Sequence, residues 1–155
     1  MSETRQDVRV GPEPFDPSVE AEALRLAGGD AGALVTFTGL VRAEGASVDG
    51  LELRHHPTFT LREIERLTGA VAARWSLTAL RVVHRVGVMR PGEAIVFVGA
   101  ASAHRRDAFE AADCLMDDLK TRAPFWKREH GPDGVRWVEP RAEDYADAGR
   151  WAGAA

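Results

Sequence analysis

Apolar residues fall along this chain in two rhythms. From Ala33 to Val41 they run nearly unbroken and rich in β-branched side chains, the pattern of a buried strand. Leu51 to His55 alternates like a strand, and Leu80 to Met89 and Ala94 to Gly99 form two further strand-like runs. Arg90-Pro91-Gly92-Glu93 between them is a good turn sequence. Elsewhere the period lengthens. Pro17 to Ala27 carries Val19, Ala23 and Leu24 or Leu26 at helical spacing and stops at Gly28-Gly29-Asp30. Leu61, Ile64, Leu67 and Val71 predict a helix to about Arg74, with capping-box spacing at Thr60-Leu61-Arg62-Glu63. Ala108, Ala111, Ala112, Leu115, Met116 and Leu119 form the stripe of a third helix. Ser102 can cap it, and it ends near Arg122, before Pro124. Phe125 to Glu129 and Val135 to Glu139 flank His130-Gly131-Pro132-Asp133-Gly134 and read as a hairpin.

Strands thus come mostly in adjacent pairs rather than alternating singly with helices. That predicts an α+β fold with mostly antiparallel strands, packed helices and a C-terminal hairpin. The 155 residues contain no internal repeat and no linker, so a single domain over 1–155 is expected. Residues 1–9 and 152–155 are expected to be flexible.

Charge and cysteine content narrow the function classes. The net charge of -4 argues against general nucleic-acid binding. It leaves room for a local basic pocket. A lone cysteine, Cys114, excludes an intrachain disulfide, a redox pair and any multi-thiolate metal site. Its neighbours Asp113, Asp117 and Asp118 make it a poor nucleophile. No apolar run approaches the ~20 residues that span a bilayer, so a soluble, cytoplasmic chain with no membrane partner is expected. No zinc spacing, Walker loop or GxSxG is present, and no metal or cofactor is expected.

Of the 20 basic residues only Lys120 and Lys127 are lysine. Where arginine supplies the surface charge, two lysines mark positions at which a titratable amine has a use that a guanidinium lacks. They are either a helix-end cap and a solvated strand residue, or two amines converging on one pocket. Phe125, Lys127 and Glu129 should share one strand face, and Trp126 and Arg128 the other. His104, Arg105 and Arg106 open a helix whose dipole is already positive there. Pairing such as Arg106 with Glu110 is one remedy, and a bound anion is the other. Arg42 follows a buried strand and is either a solvated strand end or an anion ligand.

At these residues the chain resembles the large, catalytic subunit of molybdopterin synthase. The carrying segments are Val35 to Arg42, Arg90 to Gly99, Ser102 to Arg105, Leu119 to Glu129 and Arg136 to Glu139. Leu119-Lys120-Thr121-Arg122-Ala123-Pro124-Phe125-Trp126-Lys127-Arg128-Glu129 is the most specific of them. The resemblance implies an α/β-hammerhead-like core. It implies a sulfurtransferase that installs the dithiolene sulfurs of molybdopterin on cyclic pyranopterin monophosphate. The sulfur arrives as a C-terminal thiocarboxylate on a small ubiquitin-like subunit, within a heterotetramer built on a homodimer of large subunits. Lys120 and Lys127 are then catalytic, and Arg42, His104 and Arg105 bind the substrate's phosphate or pterin. Arg141 reaches the pocket, in its own subunit or across the dimer, and Phe37 and Met116 line the pocket or the tail's channel. Two departures stand out: Ala43-Glu44 after Val41-Arg42, and His56 where the family usually has Tyr before Pro. A non-catalytic binding module for a ubiquitin-like tail is the alternative. A phosphate-ester enzyme working at His104 is a weaker third reading, lacking a metal site or an obvious nucleophile.

Overall fold

The computed structural model describes residues 3–43, 50–132 and 134–152. In chain order these form β1 (Arg5–Gly11), α1 (Pro17–Ala27), β2 (Ala33–Leu40), β3 (Gly50–His55), α2 (Pro57–Arg74) and β4 (Ala79–Arg85). Then come β5 (Gly87–Met89), β6 (Ala94–Ser102), α3 (Arg105–Thr121), β7 (Phe125–Gly131), β8 (Gly134–Val138) and α4 (Ala142–Gly149). The strands make two four-stranded sheets, ordered β1-β4-β6-β2 and β5-β3-β7-β8. Only the β1–β4 pairing is parallel among the described strands, so the α+β expectation holds.

Alternation along the central strands decides what packs where. Leu80 and Val82 of β4, with Val96, Val98 and Ala100 of β6, face α2 and α3. They meet Ile64, Leu67 and Val71 of α2 and the alanine-rich stripe of α3, which ends in Leu115 and Leu119. Small residues let α3 lie close to the sheet. The opposite face meets α1 through Leu24, Ala79 and Ala101. Gly99 leaves room there for Leu24, whose Cδ2 would stand 2.6 Å from an added Cβ and would have to shift. The second sheet has its own core of Val41, Leu51, Leu53 and Met89, with Ile95 and Phe125 against it.

Four expectations are corrected. The N-terminal segment is ordered from Arg5 onward, because β1 pairs with β4 along its whole length from Arg5↔Ala79 to Gly11↔Arg85. Its backbone groups find partners although its side chains are mostly polar, so hydropathy gave no signal. The run Leu80 to Met89 is two strands in different sheets. Gly87, at φ 89°, turns the chain between them, a conformation open to glycine. The second helix begins at Pro57, three residues before the Thr60 capping pattern. His56 is its N-cap, with Nδ1 accepting the Phe59 N–H at 3.0 Å. That cap is the physical role of the His56 departure. The third helix begins at Arg105 with His104 at the N-cap, while Ser102 closes β6. Its hydroxyl donates to the Ser76 carbonyl at 2.7 Å and accepts the His104 N–H at 3.2 Å.

Helix α4 was not read in advance, being eight residues long with none of them buried. The Asp144 carboxylate accepts the Arg141 N–H at 3.0 Å and starts it. Arg150 then reaches Asp117 at 2.7 Å, and Trp151 Nε1 donates to the same carboxylate at 2.7 Å. These contacts dock α4 on the exposed side of α3. Residues 153–155, part of the segment expected to be flexible, lie outside the described residues, as does Glu44 of the Ala43-Glu44 departure.

Candidate active site

Two elements position the lysines. Lys120 sits in the last turn of α3, exposed. The chain then turns through Arg122, Ala123 and Pro124 into β7. The register sets Lys127 opposite Leu53 of β3 and Val138 of β8. Leu53 points into the core between the sheets, so Lys127, partly buried, emerges on that same inner face. Phe125 lies inward with it, and Trp126 and Arg128 lie on the outer face, as the alternation predicts.

The turn between the lysines is held from two sides. Thr60, fully buried, donates its hydroxyl to the Pro124 carbonyl at 3.0 Å and accepts the His56 N–H at 3.1 Å. The ring of Phe125 stacks on His84 of β4, with centroids 4.1 Å apart and planes inclined by 23°. His84 Nδ1 lies 2.9 Å from the Arg85 carbonyl, which can only accept, so Nδ1 carries the proton. Burial above all, with Lys120 and His55 adding to it and the Arg85 carbonyl opposing it, pushes the imidazole down to about 4. The ring is therefore neutral at ordinary pH. Sequence reasoning placed His84 as structural and missed its place beneath the lysines, because only the β4–β7 contact reveals it.

A cleft of about 440 Å³ opens between β2 and α3. Phe37 and Met116 both line it, together with Val35, Phe109 and Arg106. Phe37 and Phe109 are about half exposed. Carboxylates of Glu110, Asp113 and Asp117 lie along its α3 side. Phe109, Asp113, Met116 and Lys120 follow one another at helical spacing, so this face of α3 leads from the cleft to Lys120.

His104 and Arg105 stand at the other end of the same helix. Sixteen residues separate His104 from Lys120, about 24 Å of helix axis at about 1.5 Å per residue. One chain does not bring these two groups together. The expected Arg106–Glu110 pair is absent, since Glu110 instead accepts Trp75 Nε1–H at 3.0 Å. Among the described residues, no ion pair engages His104, Arg105 or Arg106, so the amino end of α3 keeps its positive charge. Arg42 is exposed just past β2, whose end is fixed by Val41 N–H to the Glu93 carbonyl (2.9 Å) and Gly92 N–H to the Val41 carbonyl (2.8 Å). Arg141 is exposed at the start of α4.

Cys114 is buried, and burial with the adjacent Asp118 pushes its thiol up to about 12. It is no sulfur nucleophile. Among the described residues, no three His, Cys, Asp or Glu side chains gather closely enough to hold a metal ion. Among the described residues, no helix is long and apolar enough to cross a membrane.

With this geometry in view, comparison with known proteins is direct. Residues 10–122 match the MoaE protein family. The molybdopterin synthase catalytic subunit of Caulobacter vibrioides is 51% identical over 93% of this chain and 96% of its own. That of Escherichia coli K12 is 50% identical over 97% of this chain and 100% of its own. Among solved structures, the molybdopterin biosynthesis MoaE protein of Burkholderia ambifaria superposes with a TM-score of 0.81 at 40% identity, covering 94% and 97% of the two chains. Molybdopterin synthase from Staphylococcus aureus gives 0.76 at 27% identity, covering 84% and 95%. The chain belongs to the MoaE family. It is a sulfurtransferase of molybdenum cofactor biosynthesis, of the molybdopterin synthase catalytic-subunit class.

Proposed function

We propose that Lys120 and Lys127 carry the sulfur transfer from a thiocarboxylated ubiquitin-like carrier to cyclic pyranopterin monophosphate. The observation that carries this reading is the arrangement of the chain's only two lysines. They flank one turn tied down by Thr60 and His84, and Lys127 points inward from β7. The unreactive Cys114 supports a sulfur supplied by another chain.

The chemistry follows from the groups present. An ammonium beside the thiocarboxylate carbonyl stabilises the oxyanion that develops when water adds to the acyl carbon, breaking the acyl–sulfur bond so that sulfur stays on the pterin and the carrier leaves with a C-terminal carboxylate. The second amine moves protons as sulfur adds to the pterin and water leaves. The cleft lined by Phe37 and Met116 suits an extended tail approaching Lys120 along α3. Arg42, His104, Arg105 and Arg141 supply charge for the substrate's phosphate and pterin.

A homodimer is part of this reading, and two observations support it. The 24 Å or so of α3 between His104 and Lys120 is completed by a second copy bringing its His104 and Arg105 to the lysines. In addition, Val88, Trp126, Val135 and Trp137, each more than half exposed, share the outer face of the second sheet. The same face carries Glu52 with Arg54, Arg128 and His130, and exposed tryptophans beside arginines are a composition that protein interfaces favour. The same subunit working within a heterotetramer, with one carrier per large subunit, completes the assembly.

The test is reconstitution. Purified chain, thiocarboxylated carrier and cyclic pyranopterin monophosphate are mixed, and molybdopterin is read by fluorescence of its oxidised derivative. Product that requires the thiocarboxylate is expected. A stable complex that never forms product, beside a working control enzyme, would instead make the chain a binding module.

A further inference from the structure

We propose that His84 is a positioning residue of this sulfurtransferase, whose ring is the platform that sets Phe125, and through it the turn joining Lys120 to Lys127. This rests on the assignment of the two lysines above. His84 lies on β4, the strand between β1 and β6, and is 7% exposed. It follows Leu80 and Val82 at every second residue, so its ring leaves the first sheet on the side of α2 and α3. There it meets Phe125, the first residue of β7, which belongs to the second sheet. The stack is thus a contact between two sheets at the point where Lys127's strand begins.

The imidazole cannot swivel freely. Its Nδ1–H is bonded to the Arg85 carbonyl, which fixes both the tautomer and the ring plane. A fixed plane 4.1 Å from Phe125 fixes that ring's plane in turn. Phe125 stands two residues before Lys127 and five after Lys120. The titratable groups that act on the imidazole are Lys120 on α3 and His55 on β3, while Arg85 meets it only through its backbone carbonyl and pairs its guanidinium with Glu93. With the Lys120 ammonium near it, a neutral aromatic ring adds packing without adding charge. His84 moves no proton in this account. Its role is the flat ring.

The experiment is a set of substitutions on both sides of the stack, read by turnover in the reconstituted synthase. His84→Phe keeps a flat ring, and His84→Leu and Phe125→Leu remove one ring each. Expected for His84→Leu and Phe125→Leu is a loss of about tenfold or more in kcat. KM for the pterin should stay within about threefold, and carrier binding should be unchanged. Their double variant should lose little more than either single one, since both break one contact. His84→Phe should recover most of kcat, with a pH–rate profile that overlays the parent's. Should His84→Leu misfold, Phe125→Leu with Phe125→Tyr as its ring-preserving partner asks the same question from β7. Additive losses, or a His84→Phe variant as slow as His84→Leu with a native thermal transition, would overturn the proposal. A shifted pH profile in His84→Phe would overturn it too, by giving the imidazole a proton-transfer role. Lys127→Ala run alongside separates the two claims: full turnover there refutes the lysine assignment and leaves the stack's effect on kcat to be read independently.

Discussion

Removing the Thr60 hydroxyl tests whether α2 fastens the lysine turn. Thr60 is 0% exposed, and its oxygen takes part in two bonds, from the His56 N–H at 3.1 Å and to the Pro124 carbonyl at 3.0 Å. Thr60→Val keeps the shape and deletes both. The His56 N–H and the Pro124 carbonyl lose their partner together, and each unsatisfied group costs about 1–3 kcal/mol. The added methyl returns about 0.8 kcal/mol at most. The net loss is therefore about 3 kcal/mol, within a range of about 1–5. For a chain of this size the central value lowers the melting temperature by roughly 6–12 °C. Thr60→Ser is the control, because it keeps both bonds and gives up only a methyl, about 1 kcal/mol. The assay is urea or thermal unfolding at one fixed protein concentration, so that any subunit association enters both variants equally. Turnover should fall further in Thr60→Val than in Thr60→Ser, since the freed Pro124 carbonyl releases the segment between the lysines. A Thr60→Val protein as stable as Thr60→Ser would refute the reasoning, because it would mean neither bond contributes.

Other outcomes follow from the same geometry. His84 is held at about 4 in the folded protein against about 6.5 when unfolded. Between those values the unfolded chain binds the extra proton, so stability is full above about pH 6.5 and declines toward pH 4, by on the order of 3 kcal/mol. Denaturant midpoints measured across that window should show the decline, and His84→Phe should flatten it. Cys114, raised to about 12, should resist iodoacetamide at pH 8 in the native protein and react once the chain is unfolded. Rapid labelling of the native protein would contradict its burial. If the site is shared across a homodimer, a mixture of inactive Lys127→Ala and inactive His104→Ala/Arg105→Ala chains should regain about a quarter of parental activity. Half of the dimers would be mixed, and each would hold one intact site. No recovery after verified exchange would place all the groups in one chain.

What could be read in advance divides along physical lines. The alanine and leucine stripe of α3 was visible because its periodicity faces a core. The apolar run of β2 marked a strand correctly but not the buried one expected, since β2 is an edge strand on which Leu34, Phe37 and Leu40 are exposed. The lysines stood out by chemistry, since arginine does the ordinary work of surface charge here. Strand β1 was hidden because its stabilisation comes from the backbone ladder to β4 rather than from its polar side chains. The break at Gly87 was hidden inside a run whose apolar character suits either sheet. Likewise, nothing in sequence spacing brings His84 to Phe125, 41 positions later. Nor did the motif Ser102-Ala103-His104-Arg105 disclose that it lies a whole helix away from Lys120. Motifs adjacent in a family pattern are not thereby adjacent in one subunit.

The measurement that bears most directly on the lysines is a single-turnover experiment with Lys127→Ala and Lys127→Arg, charged carrier in excess and pterin limiting. Both variants should lose at least about 100-fold in the rate of product formation, the range expected for removing a positioned acid–base or oxyanion group. Binding of the carrier should stay within a few-fold of the parent. A parental rate in Lys127→Ala would contradict the account, and a parental rate in Lys127→Arg alone would show that charge, rather than a titratable amine, is what the site requires.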